Sequence, residues 1–295
     1  MNPSFTAALS QQSEAIQAFF ANEFKTCPFH GYLSKHQWQE LSKTAQLDSK
    51  DLKLALLPLA ASYSVAPISE FNVGAIVEAL SGNIYFGANM EFHGIGMANT
   101  IHAEQSAISH AWSHGEDGIS DITINYSPCG HCRQFMNELN NAHDLVIHLP
   151  NRTPHKLHEF LPDDFGPKDL GISIGLMAKT TPSFKIERLA PLAEAASQAA
   201  ALSHAPYSSN LAGIALETKS KLIFSGMYAE NAAFNPSLPP LQVALVQLIL
   251  SGETFDNITS ACLVESKAGK VSFLGDCQQV LENINPDIPL EYLTI

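Results

Sequence analysis

Two short clusters in this sequence bring together side chains that hold metals and move protons: His102-Ala103-Glu104 and Cys129-Gly130-His131-Cys132. Cysteines at i and i+3 in the first turn of a helix put both sulfurs on one face, and the unpaired amides of a helix start favour the thiolate. The pair alone is open to two uses. Its interior matches the dithiol of a disulfide isomerase, although Pro128 replaces the usual aromatic before the first cysteine, and it equally serves as half of a metal site. His102 supplies a third ligand. Three protein ligands leave a position free for water, which is the arrangement of catalytic zinc, whereas structural zinc is closed by four. His131, His93 or His110 could close such a site, so a structural zinc protein is the competing reading. Glu104 lies two residues from a ligand and is suited to carrying protons; otherwise it is a first-turn glutamate favoured by the helix dipole.

These clusters need elements to position them. Apolar spacing predicts helices over Ser13 to Phe24, His36 to Leu47 and Asp51 to Tyr63, a small helical entry segment. From Phe71 the pattern changes to two strand-like runs, FNVGAIVEAL and NIYFGANMEF, joined by a Ser81-Gly82-Asn83 turn. A helix over AEQSAISHAW, a strand over ITINYS and a second helix from Cys129 through Asn140 follow, giving the order ββαβα. Residues 149 to 190 carry prolines and little periodicity and read as a linker or extended arm.

The chain also repeats itself. Ala66-Pro67, Gly74 and Gly87 recur 139 positions later as Ala205-Pro206, Gly213 and Gly226. Aligning HAEQSA with PLQVAL sets Pro240 against His102 and Gln242 against Glu104, and aligning PCGHC with FLGDC sets Leu274 against Cys129, with Cys277 as the surviving counterpart of Cys132. A copy that keeps turns and apolar positions while losing ionisable ones marks the lost set as functional rather than architectural. Cys277 and Cys262 then read as small buried residues.

Bulk properties narrow the partners. With 45% hydrophobic residues the chain can bury a substantial core, and its formal net charge of −13, from 16 Lys and Arg against 29 Asp and Glu, opposes binding of nucleic acid. No run reaches the length of a membrane span, and the start lacks a secretory leader, so the expected compartment is the cytoplasm. Five cysteines do not make a disulfide framework and point to metal or redox use.

The pattern H-x-E followed by P-C-x-x-C resembles the signature of zinc nucleoside and nucleobase deaminases. With the length, the degenerate repeat and Phe71-Asn72-Val73-Gly74-Ala75, the chain resembles the long, homodimeric bacterial form of cytidine deaminase. The resemblance implies an α/β fold, a three-layer α/β/α unit with a mixed sheet, present twice behind the helical segment. The expected division is a helical segment over 1–48, a catalytic domain over 49–150, a linker arm over 151–190 and a non-catalytic copy over 191–295. The resemblance also implies one zinc per chain on His102, Cys129 and Cys132, with Glu104 shuttling a proton from zinc-activated water to the ring nitrogen and then to the departing amino group, yielding uridine and ammonia in pyrimidine salvage. Asn89 and Glu91 would hold the ribose, Phe71 would pack on the pyrimidine, Ala103 would contact the substrate and Phe165 would act across a homodimer. A deoxycytidylate deaminase needs phosphate-binding cations, of which only Arg133 is near, and a polynucleotide deaminase needs a basic groove.

Overall fold

The computed structural model describes residues 3–179, 181–184 and 189–295. The entry segment holds α1 (Pro3–Leu9), α2 (Glu14–Glu23), the short strand β1 (Tyr32–Leu33) and α3 (Lys35–Ala45), followed by α4 (Ser49–Ala61). Side-chain oxygens of Ser13, Ser34 and Asp48 accept backbone N–H groups at the starts of α2, α3 and α4, which explains where each helix begins. The α1 helix has too short an apolar pattern to be seen in sequence. It is held by Phe5, fully buried against the rings of Phe20, Phe29 and Tyr63 at 5.4–5.8 Å.

The first sheet contains β2 (Gly74–Ala79) and β3 (Ile84–Ala88), then, after α5 (Ala103–Ser113), β4 (Ile119–Ile124), and, after α6 (Gly130–Met136), β5 (Val146–His148) and β6 (His155–Lys156). Its order is β1-β3-β2-β4-β5-β6, with β4 and β5 parallel and the other neighbours antiparallel. After α7 (Leu157–Phe160) and α8 (Pro191–Ala201), the second sheet is built from β7 (Ala212–Thr218), β8 (Ile223–Met227), β9 (Ile258–Glu265) and β10 (Leu290–Thr294), with α9 (Pro240–Leu250) and α10 (Leu274–Ile284) between them. Its order, β10-β9-β7-β8, repeats the β5-β4-β2-β3 core of the first sheet, including the one parallel pair.

Two glycines in each copy set the layers. Gly87 faces Ala75 across the β2/β3 ladder, so Gly87 and Gly74 point to opposite faces of the sheet. A Cβ on Gly74 would lie 2.6 Å from Ala61 N, against α4, and a Cβ on Gly87 would lie 2.1 Å from Ala107 N, against α5. Helices therefore cover both faces. In the second copy Gly213 meets α8 at Ala200 N and Gly226 meets α9 at Pro240 O and Ala244 N. The helices α5 and α9 also pack on each other, and one hydrophobic core runs through both copies. Among the described residues no helix is long and apolar enough to cross a membrane.

Two expectations are revised. The second helix of the first copy ends at Met136 rather than Asn140, because the chain turns at Asn137 to send the fully buried Glu138 into the second copy, where it accepts from His204 Nε2, Tyr207 Oη and Ala232 N. The segment 151–190 is not a free arm in its described part: β6 extends the first sheet, and Leu176 is buried and paired with Leu139. Gly87→Ala should lower stability by about 1–3 kcal/mol by forcing α5 off the sheet, whereas Gly275→Ala, whose Cβ meets nothing within 4 Å inside α10, should be neutral or slightly stabilising. Urea unfolding of the two variants checks this, and equal midpoints would contradict the packing argument.

Candidate functional site

His102 is the residue at which α5 begins, and its predecessor Ile101 is fixed by a two-way backbone pairing with Met90 at 2.9 Å in each direction. Cys129 opens α6 and Cys132 lies in its first turn. Two helix starts thereby converge, and the ligand atoms of His102, Cys129 and Cys132 lie within 4.8 Å of one another. Cys129 Sγ is 3.6 Å from His102 Nδ1 and 3.5 Å from Cys132 Sγ. Tetrahedral zinc with Zn–S about 2.3 Å and Zn–N about 2.0–2.1 Å requires donor atoms about 3.4–3.8 Å apart, so the donor types suit that ion and the two separations made by Cys129 match its spacing. No fourth ligand joins the group among the described residues. His131 stacks its ring on His102 at 4.8 Å without entering the cluster, and His110 is turned away, with Nδ1 3.0 Å from Phe86 O.

Hydrogen bonds at Cys129 Sγ link His102, Cys129 and Cys132. Hydrogen bonds from Cys132 and His102 push the Cys129 thiol down to about 3, while the bond to Cys129 pushes the Cys132 thiol up and raises His102. Such a thiolate beside an imidazole is the charge arrangement that a divalent soft-metal ion replaces. Glu104 is 4% exposed, within hydrogen-bonding reach of Cys132, and burial raises its carboxyl above the usual range. A carboxyl raised by burial next to a metal position is suited to taking and returning protons.

The other residues singled out in the sequence form one corner beside this cluster, except Phe165. Asn89 is 7% exposed and staples the preceding strand, accepting from Val73 N at 2.9 Å and donating to Phe71 O at 3.0 Å. Glu91 is 8% exposed and receives Ile68 N and Ser69 N at 3.0 Å, as well as the Ser69 hydroxyl. Phe71 is half exposed, with its ring 4.5 Å from that of Tyr126, three residues before Cys129. Ala103, 1% exposed, is the first residue of α5. Phe165 is 45% exposed on a loop whose carbonyl at that residue accepts from Gln134 and Asn137 of the α6 region. Tyr126 and Ser69 carried no sequence signal of their own; the pairing of Tyr126 with Phe71 bridges 55 positions and is visible only in the fold. Arg133 donates to Pro128 O at 2.8 Å and Phe160 O at 3.0 Å, with the Phe160 ring beneath it.

The second copy serves as an internal comparison, and the structure corrects its register by one residue. Gly87 abuts Ala103 O and Ala107 N, and Gly226 abuts Pro240 O and Ala244 N, so Pro240 matches Ala103. Pro239 therefore stands for His102, Leu241 for Glu104 and Gln242 for Gln105. Pro239 and Pro240 are adjacent, so the sequence alone allows either alignment. Buried positions Cys277, Val280 and Leu281 of α10 match Cys132, Phe135 and Met136, leaving Leu274 for Cys129. Glu230 receives Tyr207 N and Ser208 N just as Glu91 receives Ile68 N and Ser69 N, so this carboxylate has an architectural task in both copies. Tyr228 replaces Asn89, and its ring packs on Phe273 at 4.4 Å, filling the corner with aromatic carbon.

Comparison with known proteins gives the same picture. The family described as "Cytidine and deoxycytidylate deaminase zinc-binding region" matches residues 48–149 and again 157–278. A protein named cytidine deaminase from Vibrio vulnificus (strain YJ016) is 56% identical over 295 residues, covering 100% of both chains. One from Aliivibrio fischeri is 58% identical over 288 residues, 98% of this chain and 97% of the relative, and one from Vibrio cholerae is 52% identical over 98% of each. With two matches to one domain family and full-length relatives above half identity, the chain belongs to the cytidine deaminase family, as an enzyme of the long form that carries the deaminase unit twice.

Proposed function

We propose that the first copy hydrolyses cytidine and 2'-deoxycytidine to uridine and 2'-deoxyuridine with release of ammonia, in cytoplasmic pyrimidine salvage, using one zinc per chain. The observation that carries this reading is the juxtaposition of a three-ligand His/Cys/Cys cluster with the buried carboxyl of Glu104. Residues 49–150 would form the catalytic domain and 191–295 the non-catalytic copy, between the helical segment 1–48 and the arm 151–190. Held by His102, Cys129 and Cys132, zinc would supply the Lewis acid that makes water a nucleophile near neutral pH.

The chain's own residues do the rest. Glu104 takes a proton from the attacking water and delivers it to N3 of the cytosine, so that the water oxygen can bond to C4. It then carries the second proton of that water to the amino group, which leaves as ammonia while C4 becomes the carbonyl of uridine. Both protons of the water pass through one carboxyl, whose raised affinity for protons suits it to hold each in turn. Asn89 and Glu91 would receive the ribose hydroxyls, Phe71 would pack on the pyrimidine with Tyr126 behind it, and the Ala103 amide at the start of α5 would bond the ring. The Glu91 carboxylate on the ribose side would oppose a 5'-phosphate, which favours nucleoside over nucleotide.

A homodimer accounts for Phe165. It is exposed together with Leu170 and Ile174 on one segment, at 44% and 55% for the latter two. We place it against the pyrimidine site of a second copy.

Two measurements test these assignments. Cys132→Ala should strip most of the zinc from the purified protein, whereas Glu104→Gln should keep the metal and lose at least about 100-fold in turnover, read as the fall in cytidine absorbance. Normal turnover by Glu104→Gln would end the proton-shuttle role. In light scattering after gel filtration the chain should elute at twice its 31.9 kDa mass, and a monomer mass would remove the role of Phe165.

A further inference from the structure

Gln105 is 1% exposed, and both ends of its amide are engaged. Its Oε1 accepts the backbone N–H of His102 at 3.2 Å, and its Nε2 donates to the carbonyl of Pro236 at 3.1 Å. Pro236 belongs to the second copy, 131 residues away. One side chain therefore ties the second copy to the backbone of a residue assigned to the metal.

We propose that Gln105 is a positioning residue for His102, through which the second copy fixes the start of α5 and thereby sets the affinity of the centre for zinc. The proposal rests on the reading of His102 as a zinc ligand. The peptide plane before His102 is held on one side by the pairing of Ile101 with Met90 and on the other by this glutamine, so the direction in which the imidazole leaves the backbone is set from both sides. A glutamine reaching back to the residue that opens its helix is a common local device, but here its other end is anchored on a different copy of the fold. The amide cannot swing away without leaving the Pro236 carbonyl and the His102 N–H unpaired, and an unmet buried polar group costs more than a hydrogen bond gains.

The second copy separates positioning from simple docking. Gln242 occupies the matching place in α9, is 2% exposed, and donates across the same junction to Asn99 Oδ1 at 3.3 Å. Its Oε1, however, has no hydrogen-bond partner among the described residues. The reason is chemical: the residue it would cap is Pro239, which has no N–H. The two glutamines thus make equivalent bonds between the copies, and Gln105 alone extends that bond to a ligand backbone.

The test compares Gln105→Met with Gln242→Met, substitutions of similar volume, in the full-length chain, with zinc itself competed against a chromophoric chelator. Gln105→Met should weaken zinc binding by about 10-fold or more, as loss of an outer-shell partner does, and should lower kcat more than it changes KM for cytidine. Gln242→Met should leave zinc affinity at the native value. Should Gln105→Met not fold, Gln105→Glu keeps the acceptor for His102 N–H but loses the donor to Pro236, and the proposal expects it to weaken zinc as well. Equal zinc affinities for the Gln105 and Gln242 variants would overturn the proposal. His102→Ala distinguishes the two layers of the argument: if it keeps native zinc affinity, the ligand assignment falls and takes the proposal with it; if it loses zinc while Gln105→Met holds it normally, the positioning role alone falls.

Discussion

A helix backbone can lie directly on a strand only where the strand carries no side chain, and in this molecule the position of the metal centre depends on that restriction. At Gly87 the helix α5 approaches β3 so closely that a single added carbon would sit 2.1 Å from a backbone nitrogen. Because α5 is pressed to that depth, its first residues come level with the start of α6, which follows β4, separated from β3 by β2 in the same sheet. His102 and the two cysteines are separated by 27 and 30 positions in sequence, yet their donor atoms converge because two helix starts are set side by side by strands. The first turn of each helix then supplies what the chemistry requires: ligands at fixed spacing, and a carboxylate two residues from a ligand that the core encloses and so biases toward holding a proton.

The duplication separates scaffold from chemistry within one chain. Both copies retain the glycine pair, the strand order and the carboxylate that ties the loop ahead of the hairpin, Glu91 in one and Glu230 in the other. The second copy has no counterpart of the His102 imidazole, the Cys129 thiol or the Glu104 carboxyl, which we propose as metal donors and proton carrier, and has filled the corresponding corner with Tyr228 and Phe273. It remains useful as a support. Glu138 delivers a fully buried carboxylate to three donors of the second copy, Asn283 returns a hydrogen bond to His93 O, and the glutamines at the α5/α9 junction cross in both directions. These bonds accompany a hydrophobic core shared by both sheets, beside a smaller cluster of Ala193, Ala196, Ala200, Ala215, Cys262 and Val264 between α8 and the second sheet.

What could be read from the sequence was what is local. The two His/Cys clusters with Glu104, the hairpin turns and the helices begun by Ser13, Ser34 and Asp48 all depend on residues within a few positions of one another. The repeat was readable because turns and glycines recur at fixed spacing. Its register slipped by one at Pro239-Pro240, where the deciding contact is the close approach of Gly226 to Pro240 and cannot be seen without coordinates. Tyr126 beneath Phe71, Glu138 in the second copy and the Gln105 bridge escaped for the same reason: their partners lie from 55 to 131 residues away and follow no periodic pattern. The segment after residue 150 reads as an arm because its strand is two residues long and its buried apolar side chains, Leu157, Leu176 and Met177, are too few to form a pattern.

The account stands most directly on the composition of the metal shell. X-ray absorption at the zinc edge of the purified chain should give two sulfurs at about 2.3 Å and two lighter atoms at about 2.0–2.1 Å, with the scattering of a single imidazole. A shell of four sulfurs, of nitrogen and oxygen alone, or with a second imidazole would contradict a centre built from His102, Cys129 and Cys132 with one position left to solvent.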